Sequence, residues 1–349
     1  MALLEVKNLE VTFGLRQGDM VALRDISFTV ERGERVGIVG ESGAGKSVAA
    51  FSILNLISRP GKITGGEILF EGKDLATLSD KKMREIRGDR IAMIFQDPMM
   101  TLNPVLTLGQ QMIECLKAHR KISTSDARAI AVAKLRQVQI PSPETRIDQY
   151  PHELSGGMRQ RIIIAIALLL DPVLIVADEP TTALDVTIQA EIMALLLDLC
   201  ESNNVGLILI THDLGVVSQV TEKAIVMYAG RIIEQGPTKE IINDPQHPYT
   251  QGLINALPQQ TVPGQRLNQI RGSMPGLQNI PAGCSFNPRC DFVMDACLTQ
   301  LPDFTSSGGC SVACHMVKVM KQSAAAESKT EPHAVQNAAT ACGGAGDEY

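Results

Sequence analysis

The chain has 349 residues, of which 44% are apolar and only 3% aromatic with no tryptophan, so its core must be aliphatic and its length suits one large domain with a smaller one. The net charge of −6 gives no overall support to nucleic-acid binding, which usually shows as a basic balance. The longest apolar run, nine residues from Ile162 to Leu170, is far short of the roughly 20 that a membrane-spanning helix needs, and the start MALLEVKNLEVTFG lacks a basic segment followed by an apolar stretch, so the expected location is cytoplasmic.

In chain order, residues 4–39 read as strands at Leu4–Val6, Ile26–Val30 and Arg35–Val39, separated by Gly14, Gly18 and Gly33. A helix is predicted at 46–57, then a pair of strands at 67–71 and 90–95, and a helical stretch from 107 to about 138. Three prolines make 141–154 a connector. A helix at 156–170, a buried strand at 173–177, a helix at 187–202, a second buried strand at 205–211 and a hairpin around Ala229–Gly230 complete an α/β layout with a mostly parallel sheet. Residues 258–283, rich in Pro, Gly and Gln, read as linker; the Ala, Ser, Gly and Thr of 320–349 predict disorder.

Residues 40–47 read GESGAGKS, the G-x-x-x-x-G-K-S pattern between an apolar strand and a helix. In this stretch (Gly40, Glu41, Ser42, Gly43, Ala44, Gly45, Lys46, Ser47) the glycines let backbone N–H groups curl toward phosphates, and the helix that follows presents its positive end. Lys46 reaches the β- and γ-phosphates and Ser47 ligates Mg²⁺. At LIVADE (174–179) a buried strand ends in two acids, Asp178 to hold the Mg²⁺ shell and Glu179 to polarise the attacking water. Ser155, Gly156 and Gly157 in HELSGGMRQR open a helix and so make a second anion site, which one ATP on one chain does not need.

With HELSGGMRQR at 152–161 between the phosphate loop and LIVADE, the chain resembles the ABC transporter ATPases. The resemblance implies a P-loop NTPase fold of the ABC ATPase type: a mixed sheet with helices, a helical subdomain at about 97–160, and a nucleotide-binding domain over 1–257. It also implies a head-to-tail dimer, in which Ser155, Gly156 and Gly157 of one subunit close over ATP held by the other. Gln96 in IFQDP resembles the glutamine that touches Mg²⁺ and water. Ala183, Leu184 and Asp185 resemble the loop that crosses the dimer interface. His212 in ITHDL resembles the histidine that holds the γ-phosphate, and Phe13 the aromatic that stacks on adenine.

NDPQHPYTQGLINALP (243–258), GCSFNPRC (283–290), Cys297 and VACH (312–315) resemble the oligopeptide and dipeptide importer ATPases, of the "D" type. That implies an ATPase peripheral to the inner membrane on its cytoplasmic face. Its implied partners are a second ATPase subunit favoured to be a paralogue, two membrane permeases and a periplasmic or lipid-anchored peptide-binding protein, with no nucleic acid. Importers of nickel complexes or antimicrobial peptides, and soluble ABC ATPases of DNA repair or ribosomes, are the alternatives; one cassette without a heptad run speaks against the soluble class.

Residues 258–319 then form a small Cys-rich C-terminal extension. Cys284, Cys290, Cys297 and Cys314 could hold zinc, an iron–sulfur cluster or no metal, and their spacing fits neither a C-x-x-C zinc pattern nor a ferredoxin run. The resemblance implies a 4Fe–4S cluster at these four, with Cys310 as a competing ligand, while Cys115 and Cys200 read as small buried apolar residues.

Overall fold

The computed structural model describes residues 2–16, 18–97, 101–182, 184–257 and 268–317. The expected tail at 320–349, Cys342, Ala183 and the first part of the expected linker lie outside the described residues.

Alternating apolar positions in the first thirty residues produce one long hairpin, β1 (Leu4–Leu15) against β2 (Gly18–Val30), of which the expected short strands are parts. β3 (Arg35–Val39) leaves for a different sheet and runs into α1 (Lys46–Ile53). β4 (Gly61–Phe70) returns to the other edge of β1 and carries the short β5 (Lys73–Asp74), completing a four-stranded antiparallel sheet. The expected pair at 67–71 and 90–95 is therefore split: β6 (Ile91–Ile94) lies in the second sheet beside β7 (Leu174–Asp178). Apolar runs report burial but not the partner strand.

The second sheet has eight strands in the order β11 (Phe304–Ser307), β12 (Cys310–Ala313), β10 (Arg231–Pro237), β9 (Lys223–Tyr228), β3, β8 (Gly206–Thr211), β7, β6. From β9 to β6 every pairing is parallel, and β10, β12 and β11 add antiparallel strands at one edge. The parallel strands are buried on both faces, which is why they read as unbroken apolar runs. Leu174, Val176, Ile208 and Ile210 point into a core shared with the small sheet, whereas Ile175, Ala177, Leu207 and Leu209 point into a core built from helices.

Those helices are α3 (Leu108–His119), α4 (Thr124–Gln137) and, after the single turn α5 (Pro143–Arg146) beside α4, α6 (Gly156–Ala167) and α7 (Val186–Asn203); α2 (Asp80–Ile86) and α5 stand outside this core. The expected single helical stretch from 107 to 138 is two helices, because Ser123 caps α4 by accepting from the Asp126 N–H at 3.1 Å. Cys200 lies in this core and Cys115 packs against it.

α8 (Leu214–Val220), α9 (Thr238–Asn243), α10 (Pro248–Asn255) and α11 (Asp295–Thr299) follow. The Cys-rich segment is not a separate body. β11 and β12 extend the large sheet, and Phe286, Cys310, Val312 and Val317 share one core with Val226, Tyr228 and Tyr249. No described helix is long and apolar enough to cross a membrane.

Candidate nucleotide site

The phosphate loop takes its shape from two contacts that exclude side chains. Gly45 caps α1 at φ 99°, where a Cβ would lie 2.8 Å from Leu23 Cδ2. Gly40 lies against the end of β9, where a Cβ would lie 2.3 Å from the Met227 carbonyl oxygen. Gly43 is also left-handed, at φ 85°. Lys46 is 6% exposed and its ammonium donates to the carbonyls of Gly40 (2.8 Å) and Glu41 (3.1 Å). Burial pulls its pKa below the usual lysine value, against the pull of Glu179, Asp178 and Glu41.

Asp178 ends β7 at 3% exposure and accepts from the Ser47 hydroxyl at 3.1 Å. Burial holds its carboxyl above the usual range; the Ser47 hydrogen bond lowers it, Glu179 raises it and Lys46 lowers it. Glu179 has φ 44°, an unusual backbone conformation for a non-glycine residue. Its carboxylate accepts from Gln96 Nε2 (3.2 Å) and Thr182 Oγ1 (3.1 Å), and one oxygen lies 3.5 Å from His212 Nδ1. The structure thus brings Lys46, Ser47, Gln96, Asp178, Glu179 and His212 together from four separate stretches of chain, with the His212 side chain 68% exposed at the rim.

A cavity of about 520 Å³ runs along the loop and is lined by Phe13, Leu15, Ala22, Ser42–Val48, Gln96, Glu179 and Leu277. Phe13 thus lines the loop cavity, packed so closely on Gly61 that a Cβ there would lie 2.6 Å from its ring. A second cavity of about 480 Å³ is lined by Ser47, Phe51, Phe95, Gln96, Asp97, Thr101 and Asp178. The donor set of Ser47 hydroxyl, Asp178 carboxylate and Gln96 amide oxygen is all oxygen, which suits Mg²⁺.

Ser155, Gly156 and Gly157 line neither cavity. They open α6 on the surface, where Ser155 Oγ accepts from the Met158 N–H at 3.4 Å. Gly156 and Gly157 lean on Leu184 and Ile188: a Cβ at Gly157 would lie 2.8 Å from Ile188 Cγ2. Asp185 is exposed and caps α7, accepting from the Ile188 N–H at 3.0 Å, beside a Val186 that is 83% exposed.

Glu41 lines neither cavity, unlike the loop from Ser42 onward. Its N–H, predicted to face phosphate, donates to Tyr249 Oη at 2.8 Å, and its carboxylate pairs with Arg289. Tyr249, Arg289 and Leu277 were missed by sequence reasoning; they come from chain more than 200 residues beyond the loop, with no motif linking them to it.

Cys284, Cys290 and Cys314 are partly buried and Cys297 is buried; their thiols interact electrostatically, and burial raises that of Cys284 to about 11. Cys310 is buried against Gly236, and burial, with the charges of Glu234, Glu240 and Asp244, raises its thiol to about 11. No group of three or more His, Cys, Asp or Glu among the described residues is placed to hold a metal ion, so the expected 4Fe–4S cluster has no assembled ligand set here.

A family model described as ABC transporter matches residues 23–182, and one described as the oligopeptide/dipeptide transporter C-terminal region matches 233–297. The dipeptide transport ATP-binding protein DppD of Haemophilus influenzae is 48% identical over 315 residues, covering 90% of this chain and 96% of that protein. DppD of Escherichia coli is 48% identical over 302 residues, covering 86% and 92%. Among solved structures, the dimeric ABC transporter cassette MJ0796 superposes with a TM-score of 0.60 at 30% identity, over 67% of this chain and 98% of that one. CbiO1 of Clostridium perfringens, from the ABC transporter complex cbiONQ, gives 0.59 at 30% identity, over 70% and 91%. Fold and site define an ATP-binding cassette: the chain belongs to the ABC transporter family as an ATPase, in the oligopeptide/dipeptide branch.

Proposed function

We propose that this cassette drives an importer of di- or oligopeptides across the inner membrane, attached peripherally to the membrane's cytoplasmic face. The observation that carries this reading is a loop, acid pair and histidine assembled for phosphate chemistry in a chain that also matches the peptide-transporter C-terminal region over 233–297. Loop N–H groups, Lys46 and Ser47 bind the phosphates; Phe13 stacks on the base. Glu179, aligned by Gln96 and Thr182, takes a proton from the attacking water, and His212 donates to the γ-phosphate. Mg²⁺, when bound, offsets phosphate charge; Ser47, Gln96 and Asp178 are the residues that would hold it. Ser155, Gly156 and Gly157 sit outside the chain's own cavities, which supports their closing on a partner's ATP, with Asp185 at the same interface.

In this reading, 1–257 is the nucleotide-binding domain with its helical subdomain at about 97–160, and 258–319 is the peptide-importer extension. The second ATPase is a paralogue, and two permeases and a peptide-binding protein complete the machine. The finer reading of Cys284, Cys290, Cys297 and Cys314 as 4Fe–4S ligands rests on their number and on three of them lying in the stretch that matches the peptide-transporter C-terminal region. Iron and sulfide analysis of anaerobically purified protein decides it against zinc or free thiols. The functional test is the complex in proteoliposomes. Peptide-loaded binding protein should stimulate ATP hydrolysis; stimulation by nickel complexes or antimicrobial peptides alone would reassign the cargo, and recovery with ribosomes or DNA in place of permeases would overturn import.

A further inference from the structure

Glu41, second residue of the phosphate loop, carries a carboxylate next to the residues proposed to bind an anion, and its charge acts on the buried Lys46 ammonium. Every polar group it has is engaged. Its N–H donates to Tyr249 Oη at 2.8 Å, and its carbonyl accepts from the Lys46 ammonium at 3.1 Å and the Ala44 N–H at 3.2 Å. Its carboxylate accepts from both terminal nitrogens of Arg289, at 2.7 and 3.0 Å. The Arg289 side chain is only 5% exposed, its Nε donates to the Arg271 carbonyl at 2.8 Å, and its guanidinium lies 5.8 Å from the Tyr228 ring centre and 5.9 Å from that of Phe286. Tyr249 and Phe286 pack edge-on at 5.4 Å, which joins the two contacts into one block.

A bidentate, buried arginine fixes both the charge and the direction of its carboxylate. We propose that Arg289 is a positioning residue for nucleotide binding: it neutralises and holds Glu41 so that the phosphate loop accepts an anion, and it thereby places ATP affinity under the control of the C-terminal segment. This rests on residues 40–47 being the phosphate site. Without Arg289, the Glu41 carboxylate would be free to face the incoming phosphates and repel them.

The test is affinity for a magnesium-bound, non-hydrolysable ATP analogue, measured by calorimetry on the full chain. Arg289→Met should weaken binding by about tenfold, the scale of one unpaired like charge near the ligand. Adding Glu41→Gln should restore affinity to within about threefold of the parent, because the repelling charge is gone. A purely structural arginine would not be rescued in this way. Unchanged affinity in Arg289→Met, or weakened affinity that Glu41→Gln leaves unrepaired, overturns the proposal. Lys46→Ala keeps the two readings apart: if it binds the analogue normally, the phosphate-site assignment itself has failed.

Discussion

Acidification should destabilise this protein through one histidine at the junction of cassette and C-terminal segment. His247 is 1% exposed and caps α10, where its Nδ1 accepts from the Tyr249 N–H at 3.0 Å, while its Nε2 is buried without a hydrogen-bond partner. Burial lowers its pKa from 6.5 to about 3. The folded value lies below the unfolded one, so the neutral ring's contribution is complete above about pH 6.5 and is lost as pH falls toward 3. Each unit in that window costs about 1.4 kcal/mol, so stability should fall by about 2 kcal/mol between pH 7 and pH 5 from this residue alone.

Glu234, whose carboxylate accepts the N–H groups of Gln246 and His247, is raised by its own burial and slopes the other way. The clean quantity is therefore a difference. Urea unfolding of the parent and of His247→Asn, which keeps a capping oxygen but does not titrate, should be compared at both pH values. The variant should be less stable at pH 7 and should close on the parent by about 2 kcal/mol at pH 5. Parallel pH profiles would refute the reasoning, since they would mean that His247 takes up its proton in the folded state as readily as in the unfolded chain.

Gly40→Ala should abolish nucleotide binding in calorimetry, because its Cβ would lie 2.3 Å from the Met227 carbonyl and force the loop off β9. Gly157→Val should destabilise the chain by about 1–3 kcal/mol through overpacking on Ile188, seen as a lowered urea midpoint. It should also cut turnover of the assembled complex while ATP affinity of the isolated chain stays near the parent's. Asp178→Asn should remove the magnesium dependence of ATP affinity, because the buried carboxylate beside Ser47 is the charged member of the proposed ion-binding set.

The parts legible in the sequence were those whose chemistry is local. A glycine loop must lie between a strand and a helix to cradle phosphate, and LIVADE must be a buried strand to deliver Asp178 and Glu179 to one point. Pairing was less legible. Residues 67–71 and 90–95 both read as strands, yet one joins β1 and the other β7, because an apolar run carries no address. The break at Ser123 was available, since Ser123 and Asp126 have capping spacing, but helix-forming Leu, Ile, Ala, Gln and Lys on both sides suggested continuity. The ties from Tyr249 and Arg289 to Glu41 span 208 and 248 residues, and only the folded chain brings them to the loop.

The central claim is that one ATP is held between two chains, by Lys46 and Ser47 of one and by Ser155 and Gly157 of the other. Its most direct measurement is the mass in solution of the Glu179→Gln chain, alone and with a candidate partner ATPase of the same family, with and without MgATP. The account predicts stable pairs that form only with MgATP and are lost when Ser155 is replaced by arginine. Monomers under every condition, or pairs indifferent to both nucleotide and Ser155→Arg, would contradict it.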